Sequence, residues 1–281
     1  MVDDGANLSG IRFHKMTGSG NDFVFLDGRD ERLRALERPD VIKRLCARGT
    51  GIGADGVVWL MPASNGAAFY MRYRNSDGSV ADMCGNAALC SVSLSTKLGI
   101  APTDRAFQFK TDAGVLTGRR RADGLPEVDL TPIRGLTATA PVTVGAGERR
   151  IGFADSGVPH LVVEVADADA VDLAVRGAQL RSDPGLGPGG ANVNFVSTSG
   201  PGRWRMRTFE RGVEGETLAC GTGAAACAAV LRAWNATAQE TTIETTSGRN
   251  LLVSLHDSGG VITPSLAGEG RLVFGGEAAD A

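Results

Sequence analysis

Two similar segments, each centred on a Cys-Gly pair, recur in this chain with a period of about 136 residues. Residues 82–89 read DMCGNAAL and residues 218–225 read LACGTGAA, which places Cys84 and Cys220 at equivalent positions. A repeat of that length is too long for a solenoid unit and has the size of a domain. The chain is therefore expected to fold as two similar halves.

Two further landmarks keep the same spacing around each cysteine. Residues 19–27 (SGNDFVFLD) correspond to residues 156–164 (SGVPHLVVE), and residues 111–114 (TDAG) correspond to residues 245–248 (TTSG). Three landmarks in register indicate an internal duplication with pseudo-twofold symmetry. We predict an α+β protein with an N-terminal domain over 1–132, joined by a C-terminal strand at about 268–281, and a C-terminal domain over 133–267.

Composition excludes several classes of protein. The chain has 29 basic and 32 acidic residues and a net charge of −3, so it lacks the basic surface that nucleic acid or an anionic membrane would require. It has no apolar run of membrane-spanning length, and residues 1–5 (MVDDG) do not resemble the start of a signal peptide. We expect a cytoplasmic protein in which the five cysteines are reduced. The sequence leaves the oligomeric state open, with a homodimer as one alternative.

The local pattern predicts many short strands and few helices. Its 39 glycines separate short apolar runs, as tight strand connections require. Equivalent apolar positions after each cysteine indicate one face of a helix in both halves. Helices are predicted over 38–47, 87–98 and 222–236. Strands are predicted over 11–16, 23–27, 56–60, 68–74, 107–110, 161–165, 193–197, 204–209, 241–245, 251–255 and 271–274.

A cysteine at the start of a helix has two chemical consequences. The unpaired N–H groups of the first helical turn bind a carboxylate, and the positive end of the helix dipole lowers the pKa of a thiol. If the two helices met at the seam between the halves, Cys84 and Cys220 would lie on opposite sides of an amino-acid Cα. One thiolate could remove the Cα proton while the other thiol returned a proton to the opposite face.

Other motifs give weaker signals. No Cys-x-x-Cys or His-x-x-x-His spacing favours a metal site, and residues 18–23 (GSGNDF) lack the third glycine and the helix of a dinucleotide loop. We interpret Cys46, Cys90 and Cys227 as buried core residues. Taken alone, His160 and the Glu210-Arg211 pair are ordinary structural or surface residues, and Asn75 and Asn192 ordinary turn residues; the repeat places them in loops directed at the seam.

The chain resembles the diaminopimelate epimerase family over nearly its whole length. The most specific segments are residues 18–23, 51–56 (GIGADG), 75–79 (NSDGS), 83–86 (MCGN) and 210–223 (ERGVEGETLACGTG). The resemblance implies a cofactor-independent enzyme that interconverts LL- and meso-diaminopimelate on the way to lysine and peptidoglycan. It also implies two domains, each a mixed β-sheet wrapped around a central helix, with the small-molecule substrate in the cleft between them.

The resemblance assigns a role to each site position. It implies that Cys84 and Cys220 are the acid–base thiols and that His160 and Glu210 tune their pKa values and contact the reacting amine. The positions implied to bind substrate are Gly85, Asn86, Gly221 and Thr222, through backbone N–H groups, and Asn21, Asn75, Asn192 and Arg211, through polar side chains.

Three positions depart from the commonest family pattern and leave the substrate open. Val158 replaces an asparagine, Leu89 an arginine and Gly56 a glutamine, and all three are expected to alter the rim of the site. One alternative is a two-cysteine racemase of another amino acid, such as a histidine- or proline-like substrate. A second is a redox-responsive or ligand-binding protein whose two thiols close into a disulfide.

Overall fold

Two compact units make up the chain in the computed structural model, which describes residues 9–80 and 83–278. One unit comprises residues 1–128 and 269–281, and the other residues 129–268. Asp82 of the first cysteine segment and residues 1–5, in which no signal peptide is expected, lie outside the described residues. Helices and many strands are interleaved along the chain, which confirms an α+β protein. No helix within the described ranges is both long and apolar enough to cross a membrane.

The described residues of the first unit form eight strands and two α-helices. In chain order they are β1 (Ile11–Gly18), β2 (Asn21–Asp27), α1 (Pro39–Cys46), β3 (Gly56–Met61), β4 (Tyr70–Asn75), α2 (Gly85–Lys97), β5 (Phe107–Thr111), β6 (Gly114–Arg120), β7 (Pro126–Asp129, which ends at the unit boundary) and a C-terminal strand, Arg271–Ala278. A short 3-10 helix, Glu31–Leu36, precedes α1. The C-terminal strand pairs with β1, so the chain returns to this unit at its end.

The second unit contains nine strands and two α-helices. They are β8 (Arg134–Thr137), β9 (Glu148–Asp155), β10 (Pro159–Val165), α3 (Leu173–Arg181), β11 (Asn192–Gly200), β12 (Arg203–Glu210), β13 (Gly215–Thr217), α4 (Gly221–Ala233), β14 (Glu240–Glu244), β15 (Asn250–Ser258) and β16 (Val261–Ala267), after which the C-terminal strand of the first unit is β17. A 3-10 turn, Pro184–Leu186, follows α3.

The two units repeat the same strand topology. In the first, β1 and β2 are antiparallel, β2 and β3 parallel, β3 and β4 antiparallel, and β4 and β5 parallel. The second repeats this series with β9, β10, β11, β12 and β14. Each parallel pair requires a long crossover, which a helix supplies in every case. The duplication seen in the sequence is thus present in the topology of each unit.

The helix that follows each cysteine is buried on almost every side. All residues of α2 are buried except Ser93 and Lys97, and most of α4 is buried as well. Strands β1, β3, β4, β6 and β17 contact α2, and strands β8 to β11 and β14 to β16 contact α4. The sequence pattern predicted one buried face. The whole helix is buried because the sheet of its own unit contacts it from several directions.

All eleven predicted strands overlap strands of the structure, whereas six strands and α3 are not apparent in the sequence. The helix α3 contains Gly177, a weak helix former, in its middle. A Cβ at Gly177 would lie 2.7 Å from Phe209 Cβ, so close packing on β12 requires glycine there. The strands not predicted are β6, β7, β8, β9, β13 and β16, most of which carry polar residues on one exposed face.

Candidate functional site

Cys84 is the N-cap residue of α2, the buried helix of the first unit. Its backbone is extended, with φ −133° and ψ 114°, and its side chain makes no capping hydrogen bond to the helix. Gly85 and Asn86 are the first two helical residues, and the Asn86 side chain is 2% exposed. Because the first N–H groups of a helix have no partner within it, this end can bind an anion. We refer to Cys84, Gly85, Asn86, Asn21 and Asn75 as the first half-site.

Cys220 occupies the same position at the start of α4. Its φ of −129° and ψ of 110° nearly equal those of Cys84, and both helices contain 13 residues. Here the sulfur is a capping group, since the N–H of Gly223 donates to Cys220 Sγ over 3.3 Å. The hydroxyl of Thr222 lies 3.4 Å from the same sulfur.

We refer to the predicted site residues of the second unit as the second half-site. Its members are Cys220, Gly221, Thr222, His160, Asn192, Glu210 and Arg211.

A polar network fixes Asn21 and Asn86 in the first half-site. Asn86 Nδ2 donates to Asn21 Oδ1 over 2.6 Å, and Asn21 Nδ2 donates to Asp55 Oδ2 over 3.0 Å. The structure therefore brings these two predicted residues together. Asp55 belongs to the family-like segment 51–56, but no local pattern indicated this positioning role.

The same network continues to charged side chains, of which Lys15 is the most buried. Lys15 is 7% exposed, forms an ion pair with Asp22 at 2.7 Å and donates to the carbonyl of Gly53. Arg48 bridges Asp22 and Asp55, at 2.7 and 2.8 Å. Burial alone would raise the pKa of Asp22, but hydrogen bonds and charges from Arg48 and Lys15 outweigh it and lower the pKa.

Replacing Asp22 by asparagine is expected to lower the free energy of unfolding at neutral pH by about 2 kcal/mol, since the change leaves the buried ammonium of Lys15 without its carboxylate partner. A carboxyl whose pKa is lowered by folding stabilises the protein above its unfolded pKa of about 3.9 and loses this contribution as pH falls. The variant should therefore lose less stability than the parent between about pH 5 and pH 2. Urea unfolding across this range measures both effects. The exposed Asp104→Asn is the control, and equal acid slopes in parent and Asp22→Asn would contradict the assignment.

His160 is completely buried in β10, which corrects its predicted position in a loop. Its Nε2 lies 3.1 Å from Thr222 Oγ1, and its Nδ1 lies 3.1 Å from the amide nitrogen of Asn194. Burial, with a smaller contribution from the charge of Arg211, lowers the pKa of His160 to about 3. The imidazole is therefore neutral at physiological pH.

Asn192 and Arg211 form a second contact between predicted residues. Asn192 opens β11, and its Oδ1 accepts a hydrogen bond from the backbone N–H of Arg211 over 2.8 Å. Within residues 9–80 and 83–278, the Arg211 guanidinium contacts the carbonyl of Gly189 at 3.4 Å but forms no ion pair with a carboxylate. Glu210 ends β12, and burial raises the pKa of its carboxyl.

In the described part of the chain, no side-chain hydrogen bond links Asn75 to the other members of the first half-site. It ends β4, and its Nδ2 donates to Ser79 Oγ over 3.0 Å within the same turn. Asn75 and Asn192 are thus strand-end residues, although the pattern predicted turn positions.

The three cysteines interpreted as core residues are confirmed as such. Cys46 is 5% exposed, and Cys90 and Cys227 are fully buried. Burial raises the pKa of Cys46 to about 12 and raises those of Cys90 and Cys227 well above the usual value. These thiols stay protonated and do not compete as nucleophiles.

Two of the three departures from the family pattern do not lie at a rim, contrary to expectation. Leu89 is fully buried inside α2. Gly56 is buried beneath Tyr73, where a Cβ would lie 2.5 Å from the aromatic ring. Only Val158 is partly exposed, at the position in the second unit that corresponds to Asn21 in the first.

Asn194 is a buried polar residue within a strand that the sequence pattern predicted from its apolar neighbours. It is fully buried in β11 and contacts both His160 and Thr208. An amide within the apolar run 193–196 (VNFV) is itself a signal, because a buried amide needs hydrogen-bond partners.

Both the sequence and the fold of this chain are similar to those of known proteins. A family model described as Diaminopimelate epimerase matches residues 13–134 and 152–270. A diaminopimelate epimerase from Gemmatimonas aurantiaca is 49% identical over 96% of this chain and 99% of its own, and one from Aquifex aeolicus is 42% identical over 78% and 81%. The fold is similar to the crystal structure of a Bacillus anthracis phenazine biosynthesis protein of the PhzF family. That comparison has a TM-score of 0.70 and 14% identity and covers 95% of this chain and 98% of the other.

Proposed function

The chain belongs to the diaminopimelate epimerase family, and we propose that Cys84 and Cys220 are the two groups that exchange the Cα proton of its substrate. The reaction is the interconversion of LL- and meso-diaminopimelate, an isomerisation in lysine biosynthesis. The observation that supports the cysteine assignment is geometric. Both residues cap a buried 13-residue helix with nearly the same backbone angles, in two units of the same topology.

The carboxylate next to the reacting carbon binds at the helix N-termini. The N–H groups of Gly85 and Asn86 open α2, and those of Gly221 and Thr222 open α4. When the Cα proton leaves, negative charge spreads onto this carboxylate. Backbone donors that are already oriented stabilise the added charge without reorganising, which is how a site without an electron-accepting cofactor lowers the barrier.

Proton transfer then takes one step on each face of Cα. The thiolate of one cysteine accepts the Cα proton and becomes a thiol, while the thiol of the other donates its proton to the opposite face and becomes a thiolate. The configuration inverts, and the two sulfurs have exchanged protonation states. Reaction in the other direction uses the same groups with their roles exchanged.

The remaining polar residues serve recognition. In this proposal the Arg211 guanidinium pairs with the distal carboxylate of diaminopimelate, because it lies near Cys220 on the chain and has no carboxylate partner among the described residues. Asn192 holds the backbone of Arg211 in place, and Asn21 and Asn75 supply amide groups in the first unit. The raised pKa of Glu210 suits a group that contacts the substrate's amine.

The mechanism requires the substrate to lie between the two half-sites. We therefore propose two pseudo-twofold-related domains, 1–132 with 268–281 and 133–267, each a sheet around its central helix, with the reaction in the cleft between them. The alternative of a racemase for another amino acid is motivated by Val158 and Leu89, and it loses the support of Leu89 because that side chain is buried.

Incubating the protein with LL-diaminopimelate in D₂O tests the proposed function. We expect meso-diaminopimelate in which the inverted carbon carries deuterium, while LL-diaminopimelate recovered early in the reaction remains protiated. Mass spectrometry of the separated stereoisomers measures both. A lack of exchange with LL-diaminopimelate, or faster racemisation of proline or histidine derivatives, would refute the assignment.

A further inference from the structure

We propose that Asn194 is a positioning residue that fixes the tautomer of His160 and thereby directs the hydroxyl of Thr222 toward Cys220 Sγ. The inference rests on the proposed function, in which Cys220 must lose and regain a proton. It assigns His160 the role of a hydrogen-bond donor and removes it as a proton acceptor.

The orientation of the Asn194 amide is determined by two neighbours. Its Nδ2 donates to the carbonyl oxygen of Leu161 over 2.9 Å, and its Oδ1 accepts from the hydroxyl of Thr208 over 2.9 Å. Rotating the amide by half a turn would place Oδ1 against the Leu161 carbonyl, two acceptors facing each other. The amide therefore has one favourable orientation.

That orientation determines which nitrogen of His160 carries the proton. One N–H of Asn194 Nδ2 serves Leu161, and the other points at His160 Nδ1, 3.1 Å away. Nδ1 must then accept, so the proton of the neutral ring resides on Nε2. Protonating Nδ1 would set two donors against each other in a fully buried place, in line with the lowered pKa of His160.

The proton on Nε2 sets the direction of the last two hydrogen bonds. Nε2 donates to Thr222 Oγ1 over 3.1 Å, which leaves the hydroxyl proton of Thr222 available to Cys220 Sγ at 3.4 Å. The N–H of Gly223 is a second donor to the same sulfur. Two donors stabilise the thiolate more than the thiol.

The described residues of the first unit do not repeat this His-Asn-Thr series at the equivalent strand positions. The strand registers place Phe23 where the second unit has His160, Val58 where it has Asn194 and Tyr73 where it has Thr208. These three side chains are apolar or aromatic, and the rings of Phe23 and Tyr73 meet edge to face with centroids 6.0 Å apart.

Gly223 of α4 leaves the space that the side chain of Asn194 occupies. A Cβ at Gly223 would lie 2.5 Å from Asn194 Oδ1, closer than real contacts allow. The amide is thus accommodated by a glycine in the cysteine segment itself, where the first copy has Ala87.

Two charged residues, Arg211 and Glu210, must be considered when this chain of hydrogen bonds is tested. The positive charge of Arg211 opposes protonation of His160, and Glu210, at the end of β12, has a pKa raised by burial. Both are unchanged in the variants below, so a shift between variants reports the hydrogen bonds from Asn194 and Thr222.

Nitrogen NMR of the resting enzyme tests the tautomer. The chain has three histidines, and His14→Gln and His256→Gln identify the His160 signals by elimination. We expect a protonated Nε2, an unprotonated Nδ1 and no titration between about pH 5 and pH 8. A proton on Nδ1, or an imidazolium in this range, would overturn the proposal.

Alkylation of Cys220, followed by peptide mass spectrometry across a pH series, tests the consequence. Asn194→Leu should raise the pH of half-maximal reaction at Cys220 by about one to two units, the equivalent of one hydrogen bond to a charged group. We expect kcat for epimerisation to fall about 10- to 100-fold with little change in KM, because the substrate does not touch Asn194. The buried Thr241→Val, in β14, is the control and should change neither value.

Variants at Thr222 keep the test independent of any folding defect at position 194. Thr222→Ser retains the hydroxyl and should keep the parent alkylation profile, whereas Thr222→Val should shift it as Asn194→Leu does. An unshifted profile in both Asn194→Leu and Thr222→Val would refute the inference. Because NMR and alkylation need no turnover, failure of the proposed function appears separately, as missing Cα exchange in the parent enzyme.

Discussion

Replacing Cys220 by alanine is expected to lower kcat for epimerisation by about 10⁴-fold, and Cys84→Ala should do the same. Each change removes one of the two groups that handle the Cα proton, and water cannot reach that position with comparable acidity or orientation. The change in KM should be small, because in the proposed mechanism backbone N–H groups and Arg211 bind the substrate. Initial rates with LL-diaminopimelate measure both values.

A single-alanine variant could lose activity because one thiol is missing or because less of the enzyme is folded. The stereochemistry of Cα proton exchange distinguishes these two causes. In D₂O, a variant with a single thiol can remove the Cα proton and return deuterium to the same face, so its slow residual exchange should proceed with retention. The double variant should turn over no more slowly than either single one, since groups that act as a unit are not additive. Inverted, deuterated product from a single-alanine variant at a rate near that of the parent would refute the assignment.

The same helices provide the matched controls. Cys90→Ala in α2 and Cys227→Ala in α4 remove thiols that burial keeps protonated. Both should retain most of the parent kcat and cost about 1 kcal/mol of stability through the small cavity left behind. A loss of activity in these variants as large as in Cys84→Ala would mean that cysteine removal damages the fold instead of the chemistry.

Replacing Arg211 by alanine is expected to lower kcat/KM for diaminopimelate by about 10²- to 10³-fold, mainly through KM. The guanidinium has no carboxylate partner among the described residues, so its charge is available to a ligand. A buried pair between a guanidinium and a carboxylate loses about 3–4 kcal/mol when one member is truncated, which corresponds to this range. Arg211→Lys should recover only part of it, because an ammonium cannot form two parallel hydrogen bonds.

Lysine provides a selectivity test, since it is diaminopimelate without one carboxylate. The parent enzyme should prefer diaminopimelate strongly, and Arg211→Ala should reduce this preference by about the same factor as it reduces kcat/KM, because the lost contact exists only with diaminopimelate. Arg203→Ala, at the exposed start of β12, the strand that Arg211 directly follows, is the control. An unchanged preference in Arg211→Ala would place the distal carboxylate elsewhere.

Much of the architecture could be predicted because the duplication is visible as similar short segments at equal spacing. The spacing around Cys84 and Cys220 identified two similar halves, and all eleven strand segments chosen from short apolar runs overlap strands. Both cysteine helices were placed to within a few residues of their observed bounds. Signals of this kind depend on neighbouring residues alone, so one sequence is sufficient to detect them.

The errors concern surroundings that no local pattern encodes. The departure from the family pattern predicts Leu89 at the rim, yet Leu89 is fully buried, because the sheet of the first unit contacts α2 on several sides. The sequence does not predict α3, because Gly177 in its middle is a weak helix former. Glycine is required there by the close packing on Phe209, a contact that the local sequence does not show.

The sequence by itself determined the duplication, the family and the position of Cys84 and Cys220 at helix N-termini. Only the tertiary structure decided which polar groups the interior pairs with each other. Asn194 meets His160 from 34 residues away, and His160 meets Thr222 across 62 residues. A buried donor must find an acceptor wherever the folded chain provides one. The direction of the hydrogen bonds at Cys220 is therefore a property of the assembled unit, for which the local sequence supplies only the participants.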